Sequence, residues 1–416
     1  MTRPIAARCC IAGGGPAGMM LGLLLARSGV EVVVLEKHAD FLRDFRGDTI
    51  HPSTLEVMHE LGILDTLLAL PHQRAPVLKA QFGEVSLEIA DFSHLPTRCK
   101  FIALMPQWDF LNLLASEARR YPGFSLHMNA EANALIEENG RVVGVRATTR
   151  EGDLEVRADL VVAADGRHST LRKAAALPIE QLGAPMDVLW FRLSRAPGDS
   201  EELMGRFGTG HIFIMINRGD YWQCGFVIRK NSIDAVRARG LDAFRASVTK
   251  AAAFVADRVA ELRDWNDIKL LTVAVDRMPR WYRGGLLFIG DAAHAMSPIG
   301  GVGVNLAIQD AVAAANIIAE PLREGRLETA HLEAVQRRRE CPTRVTQRMQ
   351  IVMQNRIVTR ALNDAEPFTA PLVIRLLARF ALLRRIPARI FGLGVRPELP
   401  RQPSQAGDKS PTAAAR

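Results

Sequence analysis

The sequence predicts an α/β (α+β) two-domain protein. A parallel-sheet, Rossmann-like nucleotide-binding domain is interleaved with a mostly antiparallel β-sheet domain, and a helical C-terminal segment follows. Three observations predict this. The turn "GGGPAG" at Gly13 to Gly18 lies between an apolar strand and an apolar helix. From about Leu182 to Val275 the polarity alternates along short segments. Parallel-sheet chemistry then returns in "LLFIGDAAHAMSPIGGVGVNLAIQDA", residues 286 to 311, as a short strand, a Gly-Asp corner, a glycine-rich loop and an alanine-rich helix. With 416 residues, the chain suits two interleaved domains or one large one.

The first segment, "RCCIAGGGPAGMMLGLLLARSGVEVVVLEK", reads strand, turn, helix (about Pro16 to Arg27) and strand. Its strands are apolar on both faces, as buried parallel strands are. "HPSTLEVMHELGILDTLLAL" predicts a helix with Ser53 and Glu56 spaced as a capping box. "VLKAQFGEVSLEIADF" has strand character around a Gly-Glu turn, and "PQWDFLNLLASEARR" predicts an amphipathic helix burying Leu111, Leu114 and Ala118. "RVVGVRATTREGDLEVRADLVVAADG" predicts a hairpin leading to a strand that ends at Asp165-Gly166. In the middle, "DVLWFRLSR", "HIFIMIN" and "YWQCGFVIRK" are strand-like, "NRGD" supplies a tight turn, and "LDAFRASVTKAAAFVADRV" is helical. After Glu340 the chain is helical and basic, and from about Pro397 its composition predicts disorder.

The profile is that of an ordinary globular protein, 48% hydrophobic and 24% charged. The net charge of +8 comes from scattered arginines without a nucleic-acid motif, so a basic solvated surface is expected rather than a nucleic-acid partner. The five cysteines show no disulfide or metal spacing, which predicts no metal site and suits a reducing cytoplasm. The N-terminal apolar stretch runs into a glycine turn and not a cleavage site, so no signal peptide is expected. No run of 18 apolar residues predicts a membrane span.

Gly13, Gly15 and Gly18 form G-x-G-x-x-G directly between strand and helix. The first glycine permits the tight turn, the second lets a pyrophosphate approach the backbone, and the third lets helix pack on strand. Pro16 and Ala17 open the helix, whose N-terminal N–H groups and dipole favour phosphate. Glu36, 18 residues beyond Gly18, ends the next strand with Lys37 beside it, where a carboxylate can accept hydrogen bonds from an adenosine ribose. Such a site fits FAD or NAD.

The later pieces decide between them. "ADGRHSTLRK" sets Asp165-Gly166 at one strand end, and "FIGDAAHAMSPIGGVGVNLAIQDA" sets Gly290-Asp291 at another. With the glycine turn, these three fingerprints resemble the flavin-dependent aromatic hydroxylases, the para-hydroxybenzoate hydroxylase family of single-component monooxygenases, over roughly residues 5 to 345. The resemblance implies FAD as cofactor, NADH or NADPH as transient co-substrate, and O2. It implies hydroxylation of an aromatic or polyketide-like molecule through a C4a-hydroperoxyflavin. It places Asp291 on the ribityl chain, Pro298 beside the isoalloxazine ring, and Gly301, Gly303, Val304 and Asn305 where a helix N-terminus faces the ring. Arg46 matches an arginine near flavin and pyrophosphate, Gln107 a residue near the ribityl region, and Asp165 with Gly166 the pair tied to pyrophosphate and NAD(P)H use. The residues alone leave simpler readings open: Asp291 as a helix cap, Arg46 as a surface charge, Gln107 as a helix start and His294 as a structural histidine.

On this reading residues 1–72, 100–178 and 276–345 form the FAD-binding domain. Residues 73–99 and 179–275 form the substrate-binding sheet, 346–396 the C-terminal helical segment, and 397–416 the tail. Trp190, Arg192, Phe213, Met215 and Trp222, with Cys224 and Phe226, are candidates for facing the substrate from the sheet, or for its core. No second G-x-G-x-x-G and no C-x-x-C pair occur, which argues against a disulfide-reductase-like flavoenzyme. A reductase of isoprenoid double bonds and a non-catalytic flavin binder are the alternatives. "PLVIRLLARFALLRRIPARIFGLG" carries Arg375, Arg379 and Arg384 among apolar residues. Packing on the core, a homodimer contact and a membrane-surface contact are its three readings.

Overall fold

The computed structural model describes residues 4–42, 49–83, 85–199, 204–363 and 368–402; Arg46 lies outside them. The first sheet has the spatial order Tyr282–Arg283, Leu286–Phe288, Gly152–Ala163, Ile5–Ala12, Val32–Glu36, Phe124–Met128, with the strands Arg141–Thr149 and Glu131–Glu138 extending it antiparallel from Gly152–Ala163. The last five of that order run parallel. Val32–Glu36 is buried at every position, as expected of a strand covered on both faces. The helices Pro16–Arg27, Gln107–Ala118 and Gly303–Arg323 pack on one face, around Met20, Leu24, Leu114 and Ile308. Among the described residues one segment, Ile299–Arg323, is long and apolar enough to cross a bilayer; it is largely buried and packs against Pro16–Arg27. Cys9 and Cys10 lie at the sheet centre, where burial pushes the Cys10 thiol up to about 12.

Register aligns the strand ends. Ala12 pairs with Leu35 on one side and Ala163 on the other, and Ala163 pairs with Phe288. Gly13, Asp165 and Gly290 therefore leave neighbouring parallel strands at their carboxyl ends, where ligands bind in open α/β sheets.

The second sheet has the order Lys269–Leu271, Met186–Ser194, Tyr221–Arg229, His211–Asn217, Met204–Gly208, Val77–Phe82, Val85–Asp91. All pairings among these are antiparallel except that of Met204–Gly208 with Val77–Phe82. The Asn217–Asp220 turn forms as its sequence predicts, with Gly219 at φ +91° and its N–H donating to Asn217 Oδ1 at 2.8 Å.

Three sequence expectations are corrected. The Pro52–Glu60 helix starts at Pro52, whose fixed φ suits the first helical position, so Ser53 falls inside the first turn and is no capping residue. Glu56 Oε1 instead accepts from Arg98 N–H at 2.6 Å. The helix Leu241–Ala251 stops at Ala252, which is extended at φ −148°, and a short 3-10 turn Ala253–Val255 replaces its expected continuation. Residues 397–402, expected in a disordered tail, are tethered to the core through Glu398, which is 7% exposed and paired with Arg338 at 2.5 Å while its backbone N–H donates to Gln309; most of its neighbours in the stretch are exposed. A buried carboxylate with two guanidinium partners outweighs a composition rich in proline. Residues 403–416 lie outside the described residues.

Candidate active site

The glycine turn is shaped by contacts that only glycine allows. Gly13 sits at φ +108°, and a Cβ there or at Gly18 would fall on a backbone carbonyl oxygen, of Ala164 and Gly13 respectively. Gly15 is different: a Cβ there meets nothing within 4 Å, so the turn leaves an open cradle at the uncapped N-terminus of Pro16–Arg27. Glu36 is 7% exposed; its Oε2 accepts from Gly14 N–H at 2.9 Å and its Oε1 from His38 N–H at 3.0 Å. Lys37 is exposed.

Beside this turn, Asp165 Oδ2 accepts from Leu171 N–H at 3.2 Å, while Oδ1 is buried without a partner among the described residues. Burial pushes this carboxyl above the ordinary carboxylate range. Gly166 follows at φ +81°. Two arginines join this loop to the Gly290-Asp291 corner. Arg172 donates to the Ala292 carbonyl at 3.1 Å and the Arg167 carbonyl at 2.7 Å, and Arg167 Nη2 lies 3.4 Å from Asp291 Oδ2. Neither arginine stands out in the sequence; their positions just after Asp165-Gly166 were the only available signal. Asp291 therefore makes no capping bond, and its side chain is 31% exposed.

Gly290, at φ +59°, would place a Cβ 3.2 Å from Ala17 and 3.3 Å from Ala307, so the corner is wedged between the two glycine-led helices. Its N–H donates to Asp310 Oδ2 at 3.2 Å. His294 Nε2 donates to the same carboxylate at 2.6 Å and Arg339 Nε to Oδ1 at 3.0 Å, all three side chains being at most 1% exposed. Burial opposes charge on Asp310, yet His294 and Arg339 hold its carboxyl below the usual range. His294 is thus a structural histidine.

The loop from Pro298 to Asn305 carries Gly300 at φ +76° and Gly301 at φ +62°. Gln350 fixes its start by donating to the Ser297 and Ile299 carbonyls at 2.9 and 3.0 Å. Pro298 is exposed, and Gly303 and Val304 are half-buried at the uncapped start of Gly303–Arg323. Asn305 is buried; its Oδ1 accepts from His51 N–H at 2.8 Å and Thr54 Oγ1–H at 2.7 Å, and its Nδ2 donates to the Thr49 carbonyl at 3.1 Å. Its side chain is therefore committed to holding the loop, and only its backbone is free to face a ligand. Gln107 is buried in the first turn of Gln107–Ala118, just after Ile102–Leu104, the strand that pairs with Thr49–Ile50.

His51 locks the same region, its Nδ1–H donating to the Phe391 carbonyl at 2.7 Å, and burial lowers its pKa to about 4. An unfolded histidine titrates near 6.5, so the stability supplied by keeping His51 neutral is whole above about pH 6.5. It is lost as pH falls toward 4, and a protein moved from pH 7 to pH 4.5 should lose about 2 to 3 kcal/mol from this group. Urea midpoints at both pH values check this: His51→Gln should show a smaller pH difference than the wild type.

The antiparallel sheet separates the substrate candidates by face. Phe213, Met215, Trp222 and Cys224 are fully buried on the face covered by Leu241–Ala251, packed with Phe244 and Val248, and Phe226 joins that cluster. The expectation that they face the substrate is corrected: period-2 alternation groups residues by face, but only tertiary packing shows which face a helix covers. Trp190 is on the other face. It packs with Ile214 and Val302 in one cluster and Ile299 in another, so that face looks toward the Pro298–Asn305 loop. Its ring lies over Gly225, where a Cβ would come within 3.0 Å. Arg192 is exposed, its guanidinium 4.8 Å from the centre of the Tyr221 ring.

A glycine cradle, an unpartnered buried Asp165 oxygen, a half-exposed Asp291 and a second uncapped helix start thus share one edge of the parallel sheet. That donor set fits an elongated, phosphate-bearing dinucleotide. The family model for the FAD binding domain matches residues 6–349, and the chain belongs to that family, the FAD-dependent aromatic monooxygenases. It is 35% identical over 395 residues to the 6-methylpretetramide 4-monooxygenase of Streptomyces rimosus, covering 94% of each chain. It is 30% identical over 314 residues to the 12-dehydrotetracycline 5-monooxygenase/anhydrotetracycline 6-monooxygenase of Streptomyces rimosus subsp. rimosus, covering 73% of this chain and 60% of that longer one. In fold it is similar to the p-nitrophenol 4-monooxygenase PnpA of Pseudomonas putida, with a TM-score of 0.75 at 18% identity over 94% of this chain and 98% of that one. The chain is an FAD-dependent oxidoreductase of the monooxygenase class.

Proposed function

We propose that this monooxygenase hydroxylates a fused-ring aromatic polyketide, with NADH or NADPH as reductant. The observation that carries the reading is the end-to-end likeness to the 6-methylpretetramide enzyme, 94% of each chain, together with an apolar sheet face turned toward the Pro298 loop. FAD, when bound, supplies the redox and oxygen-activating chemistry. The chain's own residues would do the rest. Gly15, Ala17 and Gly18 would take the pyrophosphate on backbone N–H groups, in a turn shaped by Gly13, whose own N–H is spent on the Leu35 carbonyl, and opened by Pro16, which has no N–H to give; Glu36 beside Lys37 would take the ribose. Asp165 Oδ1 is an acceptor awaiting a donor near the pyrophosphate, with Gly166 letting the backbone turn there. Asp291, freed from Arg167, and Gln107 would hold the ribityl hydroxyls. The backbone N–H groups of Gly303, Val304 and Asn305 would stabilise negative charge on the ring edge, because the helix dipole there is not offset by a cap, while Gly301, whose N–H is spent on the Pro298 carbonyl, would shape the turn before them. Trp190, Ile214 and Pro298 would exclude water and stack on a flat substrate. The five cysteines are free, in keeping with a reducing cytoplasm.

Purified protein should be yellow. A panel of phenolic polyketides with fused rings should contain members that accelerate NADH or NADPH oxidation and emerge carrying one atom from labelled O2. A protein that reconstitutes with NAD but not FAD, or that forms product without oxygen, would overturn the assignment.

A further inference from the structure

Eight of the fourteen large apolar side chains exposed among the described residues lie between Leu372 and Ile390, the most open being Leu382 at 70%, Leu372 at 69% and Val373 at 66%. They belong to two short helices, Leu372–Arg379 and Arg385–Gly392, and to Phe380 and the turn Ala381–Arg384 between them. Each helix is held from beneath. Ile374 packs on Ala80 and Phe82, while Ala388 and Phe391 pack on Phe92 and Leu95. Arg384 clamps the turn by pairing with Glu88 and donating to the Leu377 and Ala378 carbonyls at 3.1 and 2.6 Å. The outward apolar face is therefore rigidly presented and is not a frayed end. Clustered exposure of this kind marks an interaction site.

Its charge says what it meets. No aspartate or glutamate occurs between Phe368 and Pro397, while arginine occurs six times. Arg375, Arg379, Arg385 and Arg389 are exposed and pair with no acidic group among the described residues. An isologous contact with a second copy would set these arginines against one another, with no carboxylate in the segment to offset them. A bilayer with anionic headgroups satisfies both halves of the face. Leucine, valine and phenylalanine enter the headgroup–acyl boundary, and guanidinium groups reach the phosphates. We infer that the Leu372–Gly392 helices form a docking face for an anionic membrane surface. This face adjoins the candidate site: a Cβ on Gly300 would meet the Phe391 ring at 2.5 Å, and the Phe391 carbonyl holds His51.

The test uses the purified full chain without substrate, so it is independent of the reaction proposed above. Sedimentation with phosphatidylcholine vesicles is compared with vesicles that also contain phosphatidylglycerol, at low and high salt. Binding is expected only to the anionic vesicles and should weaken with salt. Arg375→Gln and Arg379→Gln should each weaken it about fivefold. Leu382→Ser, at an open position, should weaken it several-fold with flavin content and melting temperature unchanged. Equal binding to both vesicle types, or none to anionic vesicles at low salt, overturns the inference. So does a dimer, seen by light scattering, that Leu382→Ser dissociates, because the face then belongs to a second copy.

Discussion

Asp310→Ala should be the most damaging single substitution outside the glycine turn, costing about 3–5 kcal/mol of stability. The carboxylate is fully buried and serves three donors at once: His294 at 2.6 Å, Arg339 at 3.0 Å and Gly290 N–H at 3.2 Å. Removing it leaves a guanidinium that is 1% exposed with only the Arg396 carbonyl at 3.2 Å and Glu398 at 3.8 Å as partners, and a poorly compensated buried charge is far costlier than a lost pair. The damage should reach the cofactor too, because the Gly290 N–H loses the acceptor that fixes the corner carrying Asp291. Guanidinium unfolding followed by flavin release reads both effects. A midpoint within about 1 kcal/mol of the wild type would show that the network is not what anchors the corner.

The second large effect divides two glycines of one motif. Gly18→Ala pushes its methyl onto the Gly13 carbonyl oxygen, so the turn itself must shift. Retention of FAD should fall by roughly two orders of magnitude, and the protein should melt earlier. Gly15→Ala adds a methyl where nothing lies within 4 Å. The folded chain should tolerate it, melting as the flavin-free wild type does, while FAD affinity falls roughly tenfold or more because the methyl occupies the phosphate path. Titration with FAD, paired with melting of the flavin-free forms, separates the outcomes. If Gly15→Ala binds FAD normally, the open cradle is not the phosphate site.

How far the sequence could be read depended on whether the governing contact was local. The strand–turn–helix at Gly13, the corner at Gly290-Asp291 and the helix start at Gly303 follow from glycine placement beside apolar runs, and the structure has them where the spacing puts them. The roles of Arg167 and Arg172 were hidden, because an arginine is read by its partner and theirs lie more than a hundred residues away. Asn305 was legible as part of the loop but not as its tether, since its partners Thr49, His51 and Thr54 come from another part of the chain. Phe213, Met215 and Trp222 could be read as substrate-facing or as core, because alternation cannot say which side a helix will cover. Glu398 was misread by composition, which carries no information about a buried arginine waiting in a distant helix.

The indole of Trp190 rests on Gly225 because residue 225 has no side chain to hold it off. Under the proposed function, the room for substrate between this sheet face and the Pro298–Asn305 loop is then set by one missing carbon. A methyl at 225 would lift the ring and narrow that room, and a smaller residue at 190 would widen it. Selection can thus retune which molecules fit by altering two facing positions, leaving the grip on the cofactor untouched.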